Sequence, residues 1–463
     1  MAATFSRFAP RLSLGTRLLR PLLAFALALG VFAPTARSAG ASDGITVLEE
    51  TVRTEWPDAV VFTVKLSSAS EITRIRIEYW YTSHTRAGGN PTFTPGKEVT
   101  AEFRLRTRGA QDVPPGALIH YRYVVEDAAG TTLRTEPNQY RFLDTRSRWQ
   151  SVQDGLITVF YNERTQPRAQ AILQSAVRTV NALREQAGVQ LAEPLTVVAY
   201  PTPADLDSAY PPRSQSSRGS RAGVSVSGFN VVLVTTEGDA IGTTAHEVTH
   251  AVVEDTIGPG AISGFPMWLN EGLATYFQPS QGAEWSQYLQ QAIRLDRVMP
   301  LRFLKAYPGR EEEWLLVYAQ GVSMVRYLLT TYGAQKMGEL LRAYRDGDTD
   351  ERTFERVYGK SLLDLENEWR ASIGVKPLDS TTASPPINQP QPRPTLPPLV
   401  IDQPGSQPGA QPTPGPATRP QGAASQTGRL QAALPLLLVG GGVVALLLFV
   451  ALGALVIARR NSF

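Results

Sequence analysis

The sequence predicts a chain of several domains: an all-β domain, an α+β domain, a proline-rich stalk and one membrane-spanning helix. Three observations predict this order. Short runs with strand composition fill residues 44–145, and strand and helix patterns alternate over residues 152–373. Proline and glutamine then dominate residues 377–428, and 25 residues without a charge follow at 434–458. A length of 463 residues is sufficient for two or three domains.

Composition excludes several classes of function. The chain has no cysteine, which rules out disulfide bonds and thiol catalysis. Its net charge is only +3, and part of the arginine excess lies near the two ends of the chain, so we expect no nucleic-acid partner. The sequence does not indicate an oligomeric state.

The first 39 residues have the features of an export signal. Arginines precede an apolar run at 21–33, and small residues follow at 36–39. The apolar run is short for a membrane span. We therefore predict a signal peptide over residues 1–39, with an uncleaved N-terminal anchor as the alternative.

Residues 44–145 carry an all-β pattern. Strand composition occurs at 60–66, 72–81, 99–105 and 119–125. In the second of these runs Ile75, Ile77 and Tyr79 alternate on one face. About seven short strands separated by turn residues predict an immunoglobulin-like or fibronectin-like sandwich. We expect this domain to act as a spacer, or to contact a partner or the domain that follows.

Residues 152–373 combine strands with helices. Strands are predicted at 156–161, 195–200 and 228–235, a helix at 169–187, and a polar loop at 202–221. Further helices are predicted at 283–297, 311–332, 334–344, 351–358 and 362–373. The strand at 228–235 is either a sheet edge that is open to pairing or an ordinary buried strand.

The C-terminal region predicts a tether. Proline is too dense in residues 377–428 for helix or sheet, which indicates a disordered linker. The uncharged segment 434–458 is long enough to cross a bilayer as a helix. Arg459 and Arg460 follow it. Positive residues favour the cytoplasmic side, so we predict a single-pass membrane protein with a cytoplasmic tail at 459–463 and its other domains extracytoplasmic.

The motif that carries chemistry is His246-Glu247-Val248-Thr249-His250, an HExxH pattern. On a helix, residues four apart lie on nearly the same face, so His246 and His250 can bind one ion together. Imidazole is a good zinc ligand, and Glu247 is placed to take a proton from water. The chain has only four histidines, and this motif uses two of them.

The third predicted ligand is Glu271, which follows Asn270 in a second helix. Gly258 and Pro259 end the first helix, and Pro266 suits the first turn of the second. The helical neighbours of Glu271 are mostly apolar or small, and a carboxylate on such a face needs a charged partner. A metal ion would supply that charge. Two candidate hydrogen-bond partners for the histidines are Glu254 and Thr275.

An HExxH helix followed by a helix with NExxA resembles the gluzincin metallopeptidases, and more narrowly the peptidase MA-like group. The resemblance covers about residues 152–373. It implies an α+β zinc peptidase with one zinc ion bound by His246, His250 and Glu271. It also implies that Glu247 is the general base for a metal-activated water that hydrolyses peptide bonds. No GxMEN-like exopeptidase loop precedes HExxH, so the resemblance does not specify an aminopeptidase.

A tyrosine that stabilises the tetrahedral intermediate is also implied by the resemblance. Tyr318-Ala319-Gln320-Gly321 matches the Tyr-x-x-Gly stretch of the aminopeptidase branch. Tyr318 also lies on an amphipathic helix, so packing in the core is the alternative explanation for it. We thus expect a membrane-anchored extracytoplasmic zinc peptidase that acts on peptides or proteins. The alternatives are a surface binding or adhesion protein with an idle peptidase fold, and a zinc hydrolase of a non-peptide envelope amide.

Overall fold

The N-terminal half of the fold is a seven-stranded antiparallel sheet built around one long strand, β2. A computed structural model describes residues 44–109, 112–212, 221–279, 282–306, 311–348 and 350–379. The strands of this sheet are β1 (Ile45–Glu55), β2 (Ala59–Trp80), β3 (Ala87–Gly89), β4 (Gly96–Arg106), β5 (Leu118–Asp127), β6 (Thr132–Arg134) and β7 (Asn138–Arg141).

The two halves of β2 have different neighbours. Residues 59–68 of β2 pair with β1 and β4, whereas residues 72–80 pair with β5 and β3. The sequence predicts two separate strands here, in a sandwich of two sheets. The structure instead shows one connected sheet, because the register shifts between Ser67 and Ile72 without ending the strand. The β-rich N-terminal region is therefore confirmed, but its strands are joined through β2.

The second sheet has five strands in the order β11-β12-β10-β9-β8. Its members are β8 (Gln150–Asp154), β9 (Ile157–Tyr161), β10 (Leu195–Tyr200), β11 (Gly223–Val226) and β12 (Val231–Thr235). The strands β9, β10 and β12 are parallel, and β11 and β8 run antiparallel at the two ends. The strand expected at 228–235 is thus an interior strand, and the edge next to it is formed by β11.

The helices are α1 (Gln166–Ala187), α2 (Pro203–Ala209), α3 (Ala240–Ile257), α4 (Met267–Phe277), α5 (Gly282–Arg294), α6 (Glu311–Arg345), α7 (Asp350–Tyr358) and α8 (Leu362–Ser372). Helix α6 is interrupted at Gly333, where φ is 84°. This break separates the two helices predicted at 311–332 and 334–344.

The two faces of the second sheet belong to different cores, because successive strand residues point to opposite sides. Val197 and Ala199 of β10 pack with the helical core, which includes residues of α1, α3, α4 and α6. Val198 and Tyr200 of the same strand pack with the apolar residues of the N-terminal sheet. The second sheet therefore joins the β-rich region to the helices that carry the HExxH and NExxA motifs.

Several predicted segments lie outside the described residues: the signal peptide at 1–39, the stalk from residue 380 onward, the span at 434–458 and the tail at 459–463. Within the described ranges, no helix combines the length and the apolar composition that crossing a membrane requires.

Candidate metal centre

Helix α3 places the three charged or ionisable residues of the HExxH motif. The side chain of Asp239 caps its N-terminus by accepting a hydrogen bond from Gly242 N. Val248 and Val252 are fully buried in the helical core. The helix ends at Ile257, where Gly258 adopts a φ of 85°. The burial of one face fixes the rotation of the helix, and this rotation directs His246 and His250 towards α4.

Helix α4 brings Glu271 to the same point. The chain turns after α3 and re-enters a helix at Met267, directly after Pro266. Trp268 and Leu269 are fully buried in the helical core. Glu271 is only 4% exposed, so its carboxylate lies in an apolar interior where it needs a partner of opposite charge.

The three predicted ligand side chains converge. Glu271 Oε2 lies 3.3 Å from His246 Nε2 and 3.5 Å from His250 Nε2. The two Nε2 atoms are 3.1 Å apart. Their ligand atoms all lie within 4.8 Å of one another, as three ligands of one ion require. In the described parts of the chain, this is the one cluster of three or more such residues.

Two amide side chains hold the other nitrogen of each imidazole. Asn270 Oδ1 lies 3.0 Å from His250 Nδ1, and Gln278 Oε1 lies 3.1 Å from His246 Nδ1. Because a carbonyl oxygen only accepts, each Nδ1 carries a proton, which leaves Nε2 as the atom that faces Glu271 and that would bind a metal ion once it is deprotonated. This arrangement of ligand and supporting acceptor is usual for histidines that bind metals.

These two amides were missed by the sequence analysis, which proposed Glu254 and Thr275 instead. Glu254 accepts hydrogen bonds from Ser227 Oγ and Gly228 N, both at 2.6 Å. Asn270 had a sequence signal, because it directly precedes Glu271 on the same helix. Gln278 follows the end of α4 and is placed by the tertiary fold, so no local pattern indicates it.

Glu247 lies against the edge strand of the second sheet. Its Oε2 accepts a hydrogen bond of 2.8 Å from the backbone N–H of Ser225 in β11. The strand approaches closely because residue 223 is glycine: a Cβ atom there would lie 2.9 Å from Glu247 Cγ and 2.6 Å from Thr243 Cγ2. The general base predicted from the sequence is therefore buried beneath the edge strand and held by its backbone.

Tyr318 enters the site from α6. Its ring centroid lies 6.4 Å from that of His246 and 5.1 Å from that of Trp285, on which it stacks. Helix α6 comes this close because two glycines meet at its crossing with α4. A Cβ atom on Gly321 would lie 2.3 Å from Trp268 O, and one on Gly272 would lie 2.6 Å from Gly321 O. The glycine of Tyr-x-x-Gly thus brings Tyr318 towards the histidines.

The charges of the ligand residues are strongly coupled. Burial alone lowers the pKa of His250, but the charge of Glu271 and hydrogen bonds to Glu271 and Asn270 raise that pKa to about 9. Burial alone raises the pKa of Glu271, but the two histidines outweigh it and hold that pKa well below its usual range. Without a metal ion, a protonated His250 therefore pairs with an ionised Glu271.

The residues present fit a catalytic zinc ion. Two imidazole nitrogens and one carboxylate oxygen form the donor set of many catalytic zinc sites, in which water or substrate completes the coordination. The oriented tautomers and the buried carboxylate meet two further requirements, namely lone pairs that point inward and negative charge that offsets the ion.

Comparison with known proteins finds a family match for the part of the chain that contains His246, His250 and Glu271. Residues 175–375 match a family model described as the Peptidase MA superfamily. No curated protein matches the chain.

Three solved structures illustrate the similarities. The M1 zinc metallopeptidase from Deinococcus radiodurans shares 15% identity and a TM-score of 0.34, over 75% of this chain and 97% of that chain. A two-domain M1 zinc metallopeptidase mutant bound to L-tryptophan shares 13% identity and a TM-score of 0.34, with the same coverage. A bromide derivative of BhCBM56 shares 12% identity and a TM-score of 0.16, over 23% of this chain and 99% of that chain. The match over residues 175–375 confirms the resemblance predicted from the HExxH and NExxA helices, because this segment is similar to the Peptidase MA superfamily.

Proposed function

We propose that this protein is a zinc-dependent metallopeptidase that hydrolyses peptide bonds at the centre formed by α3 and α4. The observation that carries the proposal is the convergence of His246, His250 and Glu271, whose ligand atoms lie within 4.8 Å of one another. These three residues hold one zinc ion. When bound, zinc supplies Lewis-acid chemistry, which polarises a carbonyl group and makes water more acidic.

Glu247 is the general base in this proposal. Its carboxylate takes a proton from the attacking water and delivers the proton to the leaving amine. The hydrogen bond from Ser225 N fixes the orientation of the carboxylate. Its burial, with 7% exposure, excludes bulk water that would otherwise compete for the proton.

Tyr318 stabilises the negative charge that develops on the substrate oxygen. Its ring already lies beside His246 and is held by its stack on Trp285. A hydroxyl that is positioned before the reaction costs no reorganisation when the oxyanion forms, and loss of one such donor typically costs about 10²- to 10³-fold in kcat.

The edge strand β11 supplies the surface for the substrate backbone. It pairs with β12 on one side only, and its Ser225 N–H points to Glu247. An extended peptide that adds to this edge by β-augmentation passes directly over the general base. The substrate is therefore proposed to bind in an extended conformation.

Three substitutions in the full chain test this function. Glu247→Gln should retain zinc and lose hydrolysis of a peptide library, because the amide cannot take the proton. His250→Ala should lose both zinc and hydrolysis. Tyr318→Phe should retain zinc and lower kcat much more than it changes KM. An active Glu247→Gln protein would rule out this mechanism, and a wild-type protein that binds zinc but cleaves no peptide would favour a binding protein with an idle peptidase fold.

We further propose that the peptidase is tethered outside the cell membrane, with residues 434–458 as the span. The support comes from the sequence: an export signal, an uncharged segment and the arginines that follow it. Deletion of residues 434–463 should move the protein from the membrane fraction to the soluble fraction. External protease should remove the peptidase domain from intact cells, and protection of that domain would contradict the proposed orientation.

A further inference from the structure

The outer face of the N-terminal sheet carries a concave site, far along the chain from the proposed zinc ligands. A cavity of about 260 Å³ opens where the second half of β2 meets β3, β5 and β6. Its wall is built mainly from the side chains that point away from the core, namely Arg76, Glu78, Trp80, Arg86, Arg122 and Arg134. This is the face opposite to the buried residues Ile75 and Ile77.

The arginines of this pocket are held in place by its other side chains. Glu78 Oε2 accepts hydrogen bonds of 2.8 Å from both Arg122 Nε and Arg134. The guanidinium groups of Arg86 and Arg122 each lie 5.6 Å from the centre of the Trp80 ring, within the range of cation–π attraction. Three of the four guanidinium groups are thus ordered before any ligand binds.

The charges in the pocket do not balance. Four arginines and one glutamate line it, which gives four positive charges minus one negative charge, a net charge of +3. Arg76 and Arg86 make no ion pair with any carboxylate among the described residues. Four like charges around one cavity repel each other, and an anion in the cavity would remove that repulsion.

Of the two aromatic residues that line the pocket, Tyr79 and Trp80, it is Trp80 that contacts the guanidinium groups. His120 stacks on Trp80 at a ring-centroid distance of 5.6 Å and an interplanar angle of 6°, in addition to the two guanidinium groups. Because three side chains already pack on this indole, stacking of a sugar ring is not the interaction that the pocket is built for. The guanidinium groups are its binding elements.

We propose that this pocket binds a small ligand that bears phosphate groups and at least two negative charges. A guanidinium group presents a planar fork of N–H donors that matches two phosphate oxygens, and such charge-assisted pairs are the strong hydrogen bonds of proteins. The cavity volume admits a phosphate group with a small substituent. The site is independent of the zinc centre, so its occupation does not require peptidase activity.

Isothermal titration of the full chain in non-ionic detergent with inorganic pyrophosphate tests the proposal. We expect saturable binding, and we expect Arg76→Ala and Arg86→Ala each to weaken it by roughly 10-fold or more. Arg86→Lys should weaken it by less, because it keeps the charge and loses the fork. Arg106→Ala is the matched control: Arg106 is also exposed on this sheet, but it lies at the end of β4 next to the first half of β2, outside the pocket.

Each outcome decides the matter. Loss of binding in the two pocket variants with normal binding in Arg106→Ala supports the site. No binding of pyrophosphate to the wild-type protein overturns it. Equal weakening by Arg106→Ala also overturns it, because the attraction would then reflect net charge rather than the pocket. Arg76 and Arg86 are exposed and outside the core, and an unchanged thermal midpoint confirms that their variants are folded.

Discussion

Replacement of Asn270 by leucine should weaken zinc binding without unfolding the protein. Asn270 Oδ1 lies 3.0 Å from His250 Nδ1 and is the acceptor that keeps the proton on that nitrogen. Leucine has a similar branched shape but accepts no hydrogen bond. The imidazole can then place its proton on Nε2, the atom that must face the metal, and its ring is free to rotate.

The expected magnitude follows from the single contact that is lost. Removal of a hydrogen-bond partner of a metal-binding histidine typically costs roughly 10- to 100-fold in metal affinity, which is about 1.4–2.7 kcal/mol. Asn270→Asp should preserve or increase affinity, because a carboxylate accepts the same hydrogen bond. Thr275→Val is a control on the same helix, since Thr275 is buried and its hydroxyl has no hydrogen-bond partner among the described residues.

Competition with a chromogenic zinc chelator measures these affinities. The prediction requires the order Asn270→Asp at or above wild type, Thr275→Val near wild type and Asn270→Leu at least tenfold weaker. If Asn270→Leu binds zinc within twofold of wild type, the amide does not position His250. Equal weakening in Thr275→Val would show that any change in α4 disturbs the site, which would contradict a specific role for the hydrogen bond of Asn270.

Three further predictions concern packing and protonation. Gly321→Ala should destabilise the fold by about 1–3 kcal/mol in urea unfolding, because its Cβ would meet Trp268 O. Gly264→Ala is the control and should be near neutral, because a Cβ there meets nothing within 4 Å. A Gly321→Ala protein as stable as wild type would contradict the close crossing of α4 and α6. Zinc affinity should rise by about tenfold per pH unit between pH 7 and 8 and level off above about 9, because zinc must displace the proton of His250, whose pKa is about 9. A zinc affinity that does not change with pH in chelator competition would refute this. Burial raises the pKa of Glu366 from 4.5 to about 7, so the folded state binds more protons than the unfolded state between those values, and stability should fall as pH rises through this range. As the pH rises from 4.5 to 8, the free energy of unfolding of Glu366→Gln should increase relative to that of wild type by up to about 3 kcal/mol in urea unfolding. If the free energy of unfolding depends on pH equally in both proteins, Glu366 does not titrate as a buried acid.

The parts of the fold that could be predicted are those that depend on local patterns. The break in α6 was predicted from the glycine at Gly333. The strand Leu195–Tyr200 was predicted from its run of apolar residues. The helix at Pro203–Ala209 had a local signal that was overlooked: Thr202 caps it by accepting a hydrogen bond from Asp205 N. By contrast, the strand β11 is short, and only its pairing with β12 and its contact with α3 define it.

In the candidate site, too, local sequence patterns predict some residues and tertiary contacts determine the others. Spacing on one helix predicts that His246 and His250 share a face, and their sequence context selects Glu271. Distance in the sequence hides the other contacts, because the crossing of Gly272 and Gly321 joins helices that are about fifty residues apart. Two helices can approach so closely only where neither has a side chain, and this requirement becomes visible when the partner is known. The family resemblance indicated Tyr318 through the Tyr-x-x-Gly motif. The structure adds the reason for the glycine, because Gly321 allows α6 to approach α4 closely.

Helix α3 connects the candidate metal centre to the edge strand β11. Glu247 and Glu254 are seven residues apart, which is about two helical turns, so they lie on one face of the helix. Glu247 accepts a hydrogen bond from Ser225 N, and Glu254 accepts hydrogen bonds from Ser227 Oγ and Gly228 N. His250 lies between these two glutamates on the same face, so α3 contacts the hairpin of β11 and β12 beside the histidines that it presents to α4. In the proposed mechanism, a substrate that pairs with β11 binds the same strand whose Ser225 N–H orients the proton acceptor Glu247.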